Sequence, residues 1–184
     1  MKKIAFIGLG VMGFHMASHL IKNNLCVNII DRCSKNTKKF IEKYNFTGKI
    51  KIYTKLNDLA SNSNIIITCV GNDKDLKDIF FSQKGILSGI QKGSIIVDHT
   101  TASIDISLLL FKSFQKKKCF FYDAPISGGE QGAVDGTLSI MVGGDKRKID
   151  ILKNTLDAYY KSLIYMGKSG NGQLTKMVNQ ICIA

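Results

Sequence analysis

The chain has 184 residues, of which 45% are hydrophobic and 22% charged, a composition typical of a folded globular protein rather than a disordered one. This length accommodates about one complete domain. The apolar runs are much shorter than the roughly 20 residues that a membrane-spanning helix needs. We therefore expect a single globular core and no membrane partner.

Charge and cysteine content narrow the functional classes further. The formal net charge is +12, but nearly all of the 26 basic residues are lysine, whereas the reading of bases relies heavily on arginine. We therefore expect no nucleic-acid partner, although the positive field would attract a small anion. The cysteines form no CxxC pair, which indicates reduced thiols in a cytoplasmic protein and no metal site. They are Cys26, Cys33, Cys69, Cys119 and Cys182.

Strand-like and helical segments alternate along the chain. The first half is predicted to contain, in chain order, strand Lys3–Gly8, helix Met12–Asn23, strand Cys26–Asp31, helix Thr37–Tyr44, strand Lys51–Tyr53, helix Leu56–Ala60, strand Asn64–Val70 and helix Lys74–Phe81. The second half is predicted to contain strand Ser94–Asp98, helix Ile104–Lys117, strand Cys119–Asp123, a glycine-rich loop over residues 127–137, strand Leu138–Val142, helix Ile149–Tyr159, strand Leu163–Met166 and a terminal helix.

The order and character of these elements predict the fold class. The strands are continuously apolar, which indicates burial on both faces. Alternation of buried strands with helices is typical of an α/β protein with a doubly wound, mostly parallel sheet. In such sheets, ligands bind beyond the carboxyl ends of the strands, and this edge is where we expect a site.

The turn after the first strand is a candidate phosphate-binding site. Its sequence GLGVMG fits the pattern G-x-G-x-x-G and consists of Gly8, Leu9, Gly10, Val11, Met12 and Gly13. The first glycine permits a tight turn, the second lets a pyrophosphate approach the backbone, and the third allows close packing of the helix. A glycine-rich turn that serves packing alone remains the alternative.

Asp31 lies at the end of the second strand, where a carboxylate can accept hydrogen bonds from the ribose hydroxyls of a dinucleotide. The alternative is a simple cap on the next helix. The neighbouring Arg32, with Lys35 nearby, could hold a 2′-phosphate, so the sequence leaves NAD and NADP both open as the cofactor.

The histidines are weaker candidates. His15 and His19 lie four residues apart on the first helix, but no acidic residue accompanies them and we expect no metal. His99 follows the fifth strand, where a place in the cleft and a structural role are equally compatible with the sequence.

Two segments of the second half carry candidate substrate contacts. Ser127, Gly128 and Gly129 follow the sixth strand, and small residues with free N–H groups can form a concave anion site there or simply a flexible loop. In the terminal helix, the spacing of Lys176, Asn179 and Gln180 places them on one face. A lysine partly removed from water has a lowered pKa and can exchange a proton near neutral pH.

Four motifs in this order resemble the β-hydroxyacid dehydrogenase family, which includes 3-hydroxyisobutyrate dehydrogenases, tartronate semialdehyde reductases and 6-phosphogluconate dehydrogenases. The motifs are FIGLGVMGFHMASHL, CVGNDKDL with VDHTTAS, DAPISGGEQGAVDGTLSIMVGGD, and GNGQLTKMVNQ. The resemblance runs over the whole chain and implies a Rossmann-type domain. Many members have proline at His15 and asparagine at Gln180, and the second departure could alter substrate preference.

The resemblance implies roles for individual residues. The glycine turn and Asp31 would bind NAD or NADP, while Val70, Asn72 and Thr101 would line the nicotinamide side. Ser127, Gly128 and Gly129 would hold a substrate carboxylate, Lys176 would be the general acid/base, and Asn179 and Gln180 would bind the substrate hydroxyl.

The function implied is NAD(P)-dependent interconversion of a small anionic 3-hydroxy acid and its semialdehyde or keto acid. Residues 1–168 would form the NAD(P)-binding domain and residues 169–184 the start of an interdomain helix. The family's C-terminal all-helical domain is absent, so the alternative is a dinucleotide-binding fragment without turnover. The complete form is expected to be a homo-oligomer.

Overall fold

A mixed β-sheet runs through the computed structural model, which describes residues 3–183. Its first six strands are β1 Ile4–Ile7, β2 Val27–Ile30, β3 Ile50–Ile52, β4 Ile65–Thr68, β5 Ile95–Asp98 and β6 Phe120–Asp123. They lie in the order β3-β2-β1-β4-β5-β6, and every neighbouring pair is parallel. The chain therefore reverses its direction of travel across the sheet between β1 and β4, where doubly wound sheets bind ligands.

The last three strands extend the sheet beyond β6. They are β7 Ile126–Ser127, β8 Leu138–Gly144 and β9 Tyr160–Gly167. Strand β8 is antiparallel to β6 and β7 but parallel to β9. The predicted doubly wound, mostly parallel sheet is thus confirmed. The exception is β8, which pairs antiparallel with β6 and β7.

Helices cover both faces of this sheet. Those of the described residues are α1 Val11–Lys22, α2 Ser34–Tyr44, α3 Leu56–Ser61, α4 Asp73–Phe81, α5 Ile86–Gly89, α6 Ile104–Lys116, α7 Gly129–Asp135, α8 Ile149–Leu156 and α9 Asn171–Ile183. Alternate residues of β1 enter different cores: Ile4 and Phe6 pack beneath α1 and α2, and Ala5 and Ile7 pack beneath α4 and α6. This explains why β1 is apolar at every position.

Three sequence-based expectations about the second half are wrong. The predicted loop over residues 127–137 contains β7 and α7, because Gly132 and Ala133 are buried at the contact of α7 with α1. The helix predicted to reach Tyr159 ends at Leu156. The last strand is correspondingly longer than predicted and begins at Tyr160.

Candidate functional site

The turn between β1 and α1 has the geometry of a phosphate cradle. Gly8 has a positive φ of 96°, and a Cβ at Gly13 would overlap the carbonyl oxygen of Gly8. At Gly10, by contrast, a Cβ would meet no protein atom within 4 Å. The backbone is therefore tightly packed at two glycines and open toward the cleft at the third, where α1 presents its N-terminus.

Asp31 holds this turn in place. Its Oδ2 accepts a hydrogen bond from the Leu9 N–H at 2.5 Å, and its Oδ1 accepts one from the Cys33 N–H at 2.6 Å. Cys33, and not Asp31, is the N-cap of α2, so the interpretation of Asp31 as a simple helix cap is wrong. Each carboxylate oxygen has a second lone pair with which to accept a ribose hydroxyl.

Arg32 forms an ion pair that crosses the same region. Its guanidinium lies 2.6 Å from Oδ1 of Asp75 in α4. The cleft around them has a volume of about 1180 Å³, and its walls come from the turns after β1, β2, β3 and β4. Gly10, Asp31 and Arg32 are among its lining residues. Three sequence-predicted cofactor contacts therefore meet in one cleft.

A second cavity, of about 590 Å³, adjoins the first, and Met12, Val70 and Gly71 line it. It brings together residues from distant parts of the sequence. Its lining includes the following sequence-predicted site residues: Met12, Val70, Thr101, Ser127, Gly128, Gly129 and Lys176. The carboxyl ends of β4, β5 and β6 thus meet α9 at a single site.

The remaining predicted residues lie at or outside its edge. Asn179 donates a hydrogen bond of 3.5 Å from Nδ2 to Ser127 Oγ. Asn72 is exposed and caps α4, where its Oδ1 accepts the Lys74 and Asp75 N–H groups. Gln180 is exposed to solvent. Four sequence-predicted residues therefore line neither cavity: Leu9, which is buried, Asn72, Asn179 and Gln180.

Lys176 is the buried cation of the smaller cavity, with 8% of its surface exposed. Burial lowers the pKa of its ammonium group from the ordinary value, because a charge loses solvation there. Its outward neighbours on α9 are instead half-exposed or more, and these are Leu174, Met177, Val178 and Ile181. The lysine therefore faces the cavity while an apolar stripe of the same helix faces solvent.

Two residues that sequence reasoning missed position Lys176. The buried carboxylate of Asp123 accepts the N–H groups of Gly170 at 2.7 Å and Gln173 at 3.0 Å, at the start of α9. The Gln173 side chain donates to the Thr100 carbonyl at 2.7 Å and accepts the Ala102 N–H at 3.2 Å. The available signal was an acidic residue at the end of β6, in register with Asp98 at the end of β5.

His99 lines the smaller cavity, and both nitrogens of its ring are held by protein groups. Its Nδ1 lies 2.6 Å from the Ala124 carbonyl and its Nε2 lies 2.8 Å from the Tyr159 hydroxyl. Because the carbonyl can only accept, Nδ1–H is the donor and Nε2 accepts from the tyrosine. Burial lowers the pKa of His99 to about 4, so the ring is neutral near neutral pH.

His19, the second histidine of α1, contacts the end of α7. His19 Nε2 lies within 3.1 Å of the Ala133 carbonyl and 3.0 Å of the Val134 carbonyl, and so connects α1 with α7. Within residues 3–183, no group of three or more His, Cys, Asp or Glu side chains could hold a metal ion. No helix of the same described part is long and apolar enough to cross a membrane.

Residues 3–167 match the family described as the NAD binding domain of 6-phosphogluconate dehydrogenase. The chain belongs to the β-hydroxyacid dehydrogenase family. This membership confirms the resemblance and the expectation of an NAD-binding domain. The motif GLGVMG lines the larger cleft, and Lys176 of the motif GNGQLTKMVNQ lines the adjoining smaller cavity.

Relatives support the same family assignment. The chain is 45% identical over its whole length to an uncharacterized oxidoreductase of Shewanella frigidimarina, of which it covers 62%. It is 34% identical to the mitochondrial 3-hydroxyisobutyrate dehydrogenase of Drosophila melanogaster, and the alignment covers 100% of this chain and 54% of that protein. The chain thus spans less than two thirds of the length of these relatives.

A solved structure supports the fold. Mycobacterium tuberculosis 3-hydroxyisobutyrate dehydrogenase with L-serine superposes with a TM-score of 0.91 at 23% identity. The match covers 100% of this chain and 60% of that chain. At this identity, the likeness is evidence for the β-hydroxyacid dehydrogenase fold and not for a substrate.

Proposed function

We propose that this chain is the nucleotide-binding part of an NAD(P)-dependent oxidoreductase that interconverts a small 3-hydroxy acid and its semialdehyde or keto acid. The observation that carries the proposal is the position of Lys176. Its buried ammonium shares one cavity with Val70 and Thr101 on the dinucleotide side and with the Ser127–Gly129 turn on the other. A donor for a substrate oxygen and a candidate carboxylate site therefore meet beside the dinucleotide cleft.

The larger cleft fits a dinucleotide. The open space at Gly10 leaves room for a pyrophosphate against the N–H groups at the start of α1. Asp31 faces the ribose position with its free lone pairs, and Val70 and Thr101 lie where the nicotinamide end would enter the smaller cavity. When bound, the cofactor supplies the hydride donor or acceptor.

Lys176 would move the hydroxyl proton. In the direction of oxidation, the lysine must receive a proton from the substrate hydroxyl, which requires its neutral form. The lowered pKa of the buried ammonium increases the fraction of that form near neutral pH. In the direction of reduction, the ammonium donates the proton back to the substrate oxygen.

The substrate carboxylate would bind at the turn before α7. Gly128 and Gly129 have positive φ values of 129° and 62°, a backbone conformation that helps direct N–H groups into a concave site. Ser127 adds a hydroxyl, and Asn179 approaches that hydroxyl from α9. Gln180 would need to move from its exposed position to reach the hydroxyl of a substrate.

A second candidate function is dinucleotide binding without turnover by this chain. The observation that favours it is the apolar stripe of α9, where Ile181 is 78% exposed and Leu174 is 49% exposed. These side chains face solvent outside the lining of the smaller cavity, and an exposed apolar face of this kind is typical of a surface that packs against further protein. Without such a cover the site stays open to water, which weakens the electrostatic interactions on which proton and hydride transfer depend. Both candidates predict NAD(P)H binding, and they differ in catalysis.

The test compares Lys176→Met with Lys161→Met, which removes an exposed lysine outside the cavity lining. A panel of 3-hydroxy acids is oxidised with NAD or NADP, and NADH and NADPH binding is titrated by fluorescence. We expect Lys176→Met to lower kcat by about 100-fold or more, in the range of general acid/base catalysis, with dinucleotide binding retained. Full activity of Lys176→Met would refute the role of the lysine. Binding without any turnover by the parent chain would favour the second candidate.

A further inference from the structure

The ion pair between Arg32 and Asp75 connects two walls of the larger cleft. Arg32 follows β2, and Asp75 lies in the first turn of α4, which follows β4. The side chain of Arg32 is 80% exposed and that of Asp75 only 13% exposed. The arginine therefore reaches across the cleft from an exposed position to a carboxylate that is largely buried.

Asp75 is fixed by contacts of its own. Its Oδ2 accepts the Gly71 N–H at 3.1 Å, while Oδ1 accepts from Arg32. Its backbone N–H donates to the Oδ1 of Asn72, the cap of α4. Both carboxylate oxygens are thus in use, and the position of Asp75 is set by the turn after β4.

This pairing bears on the ribose end of the cofactor. NADP differs from NAD by a 2′-phosphate, which a guanidinium binds through two parallel hydrogen bonds. Arg32 directly follows Asp31, the residue at the ribose position, and the other arginine, Arg147, is paired with Asp145 outside the cleft. The pair engages Nη1 of Arg32 and leaves other N–H groups of the guanidinium free, but it draws the guanidinium toward α4 and offsets its charge, so a 2′-phosphate would meet an arginine that is already paired.

The other charged residues that line the larger cleft do not replace Arg32 as a binding group for a 2′-phosphate. Lys38, Lys55 and Lys84 line it, but so do Asp31 and Asp78. An ammonium acts as a point charge and lacks the planar fork of arginine. A 2′-phosphate would therefore meet Asp31 at close range without a free guanidinium to offset it.

We propose that Asp75 is a specificity-determining residue that favours NAD over NADP by holding Arg32 away from the ribose 2′-position. The inference rests on the proposed dinucleotide binding and adds the determinant of cofactor choice. It places that determinant on α4, 43 residues from its arginine partner in the sequence.

The test titrates NADH and NADPH separately into the chain, which has no tryptophan to interfere with the fluorescence of the bound dinucleotide. The main variant is Asp75→Asn, which keeps an oxygen to accept the Gly71 N–H but removes the charge that holds Arg32. We expect the Kd for NADPH to fall roughly three- to tenfold, because release of an exposed ion pair and loss of a nearby negative charge act together. The Kd for NADH should change by less than about twofold.

Two further variants separate this mechanism from a general change of charge. Asp78→Asn removes another carboxylate that lines the same cleft, one turn along α4, and should leave the NADH/NADPH preference nearly unchanged. Arg32→Gln should weaken NADPH binding by at most about threefold in the parent chain, because it leaves the Asp75 carboxylate unpaired near the 2′-position, and it should abolish the gain when combined with Asp75→Asn. If Arg32→Gln alone weakens NADPH binding tenfold, Arg32 already serves the phosphate and the proposal is wrong.

The remaining outcomes are equally distinct. A gain in NADPH binding that persists without Arg32, or an equal shift for both cofactors, overturns the role of Asp75 while leaving dinucleotide binding intact. Arg32→Gln tests the proposal even if Asp75→Asn unfolds. A parent chain that binds neither NADH nor NADPH overturns the proposed function and this inference with it.

Discussion

Replacement of Asp123 by asparagine should loosen the start of α9 and displace Lys176. The carboxylate accepts two backbone N–H groups with different oxygens, Gly170 with Oδ1 and Gln173 with Oδ2. The amide of asparagine has only one acceptor oxygen, so an NH₂ group would face one of these backbone N–H groups. One hydrogen bond is therefore lost and one buried donor is left unpaired.

The magnitude follows from these contacts. A hydrogen bond to a charged group contributes about 1.5–3 kcal/mol, and an unsatisfied buried donor costs a similar amount. Part of this loss is offset, because burial raises the pKa of Asp123 and the carboxylate is itself destabilised in the native state. We expect Asp123→Asn to lower the free energy of unfolding by about 2 kcal/mol.

Three measurements test the predicted effect of Asp123→Asn. Urea unfolding gives the loss of stability, amide hydrogen exchange reports opening at Gly170 and Gln173, and NADH titration reports the cleft. Exchange should accelerate at α9 while NADH affinity stays within about twofold, because the glycine turn lines the larger cleft and Asp123 does not. If the chain turns over a 3-hydroxy acid, kcat should fall by about 10- to 100-fold from misplacement of the lysine.

Ser169→Ala is the matched control. It removes only the Ser169 hydroxyl, which donates to the same Asp123 Oδ1 at 3.2 Å, and leaves both backbone contacts in place. We expect a loss of less than about 1 kcal/mol. Unchanged stability and unchanged amide exchange in Asp123→Asn would refute the assignment of Asp123 as the local anchor of α9. The assignment would also be wrong if NADH affinity fell by as large a factor as the protection of α9 amides from exchange.

Further outcomes follow from other contacts. Gly13→Ala should weaken NADH binding at least tenfold and destabilise the fold, because its Cβ would overlap the carbonyl oxygen of Gly8; unchanged affinity by titration would contradict the packing. His19→Ala should lower stability by about 1 kcal/mol in urea unfolding, through loss of its contacts with the end of α7, and no change would show that these contacts contribute nothing. Burial raises the pKa of Asp98 to about 6, which favours folding at low pH, and this contribution is lost as the pH rises through 6. Burial lowers the pKa of His99 from 6.5 to about 4, so its contribution is present above pH 6.5 and lost as the pH falls through 4. In the parent chain the pH dependences of Asp98 and His99 nearly cancel. Asp98→Asn leaves only that of His99, so the free energy of unfolding should rise by up to about 3 kcal/mol between pH 4 and 6.5, and a flat profile would contradict this.

The first half of the fold was predictable because its signals are local. The apolar runs of β1, β4 and β5, which end in Thr68 in β4 and in Asp98 in β5, reflect burial on both faces. The glycine spacing marks where β1 ends and α1 begins. The end of β2 then places Asp31 beside the turn without any long-range information. These features depend on residues that are close in the chain.

The second half depends on contacts that the sequence does not reveal. The segment that forms α7 is rich in glycine, which locally disfavours a helix, and its packing against α1 outweighs that preference. The pairing of Arg32 with Asp75 requires β1 to lie between β2 and β4. Gln180 is predicted from helical spacing and from the family resemblance, but the structure leaves it exposed to solvent.

The anchoring of α9 has a mechanical consequence. Its contacts with β6 and with the turn after β5 are concentrated in the first turn, around Gly172 and Gln173. With a rise of 1.5 Å per residue, Lys176 lies about 6 Å from this pivot and Ile181 about 13 Å from it. A tilt of about 10° would move the lysine backbone by roughly 1 Å but the outer end by more than twice that distance. Because α9 is held at its first turn, bending farther along the helix displaces the Lys176 backbone much less than the outer end.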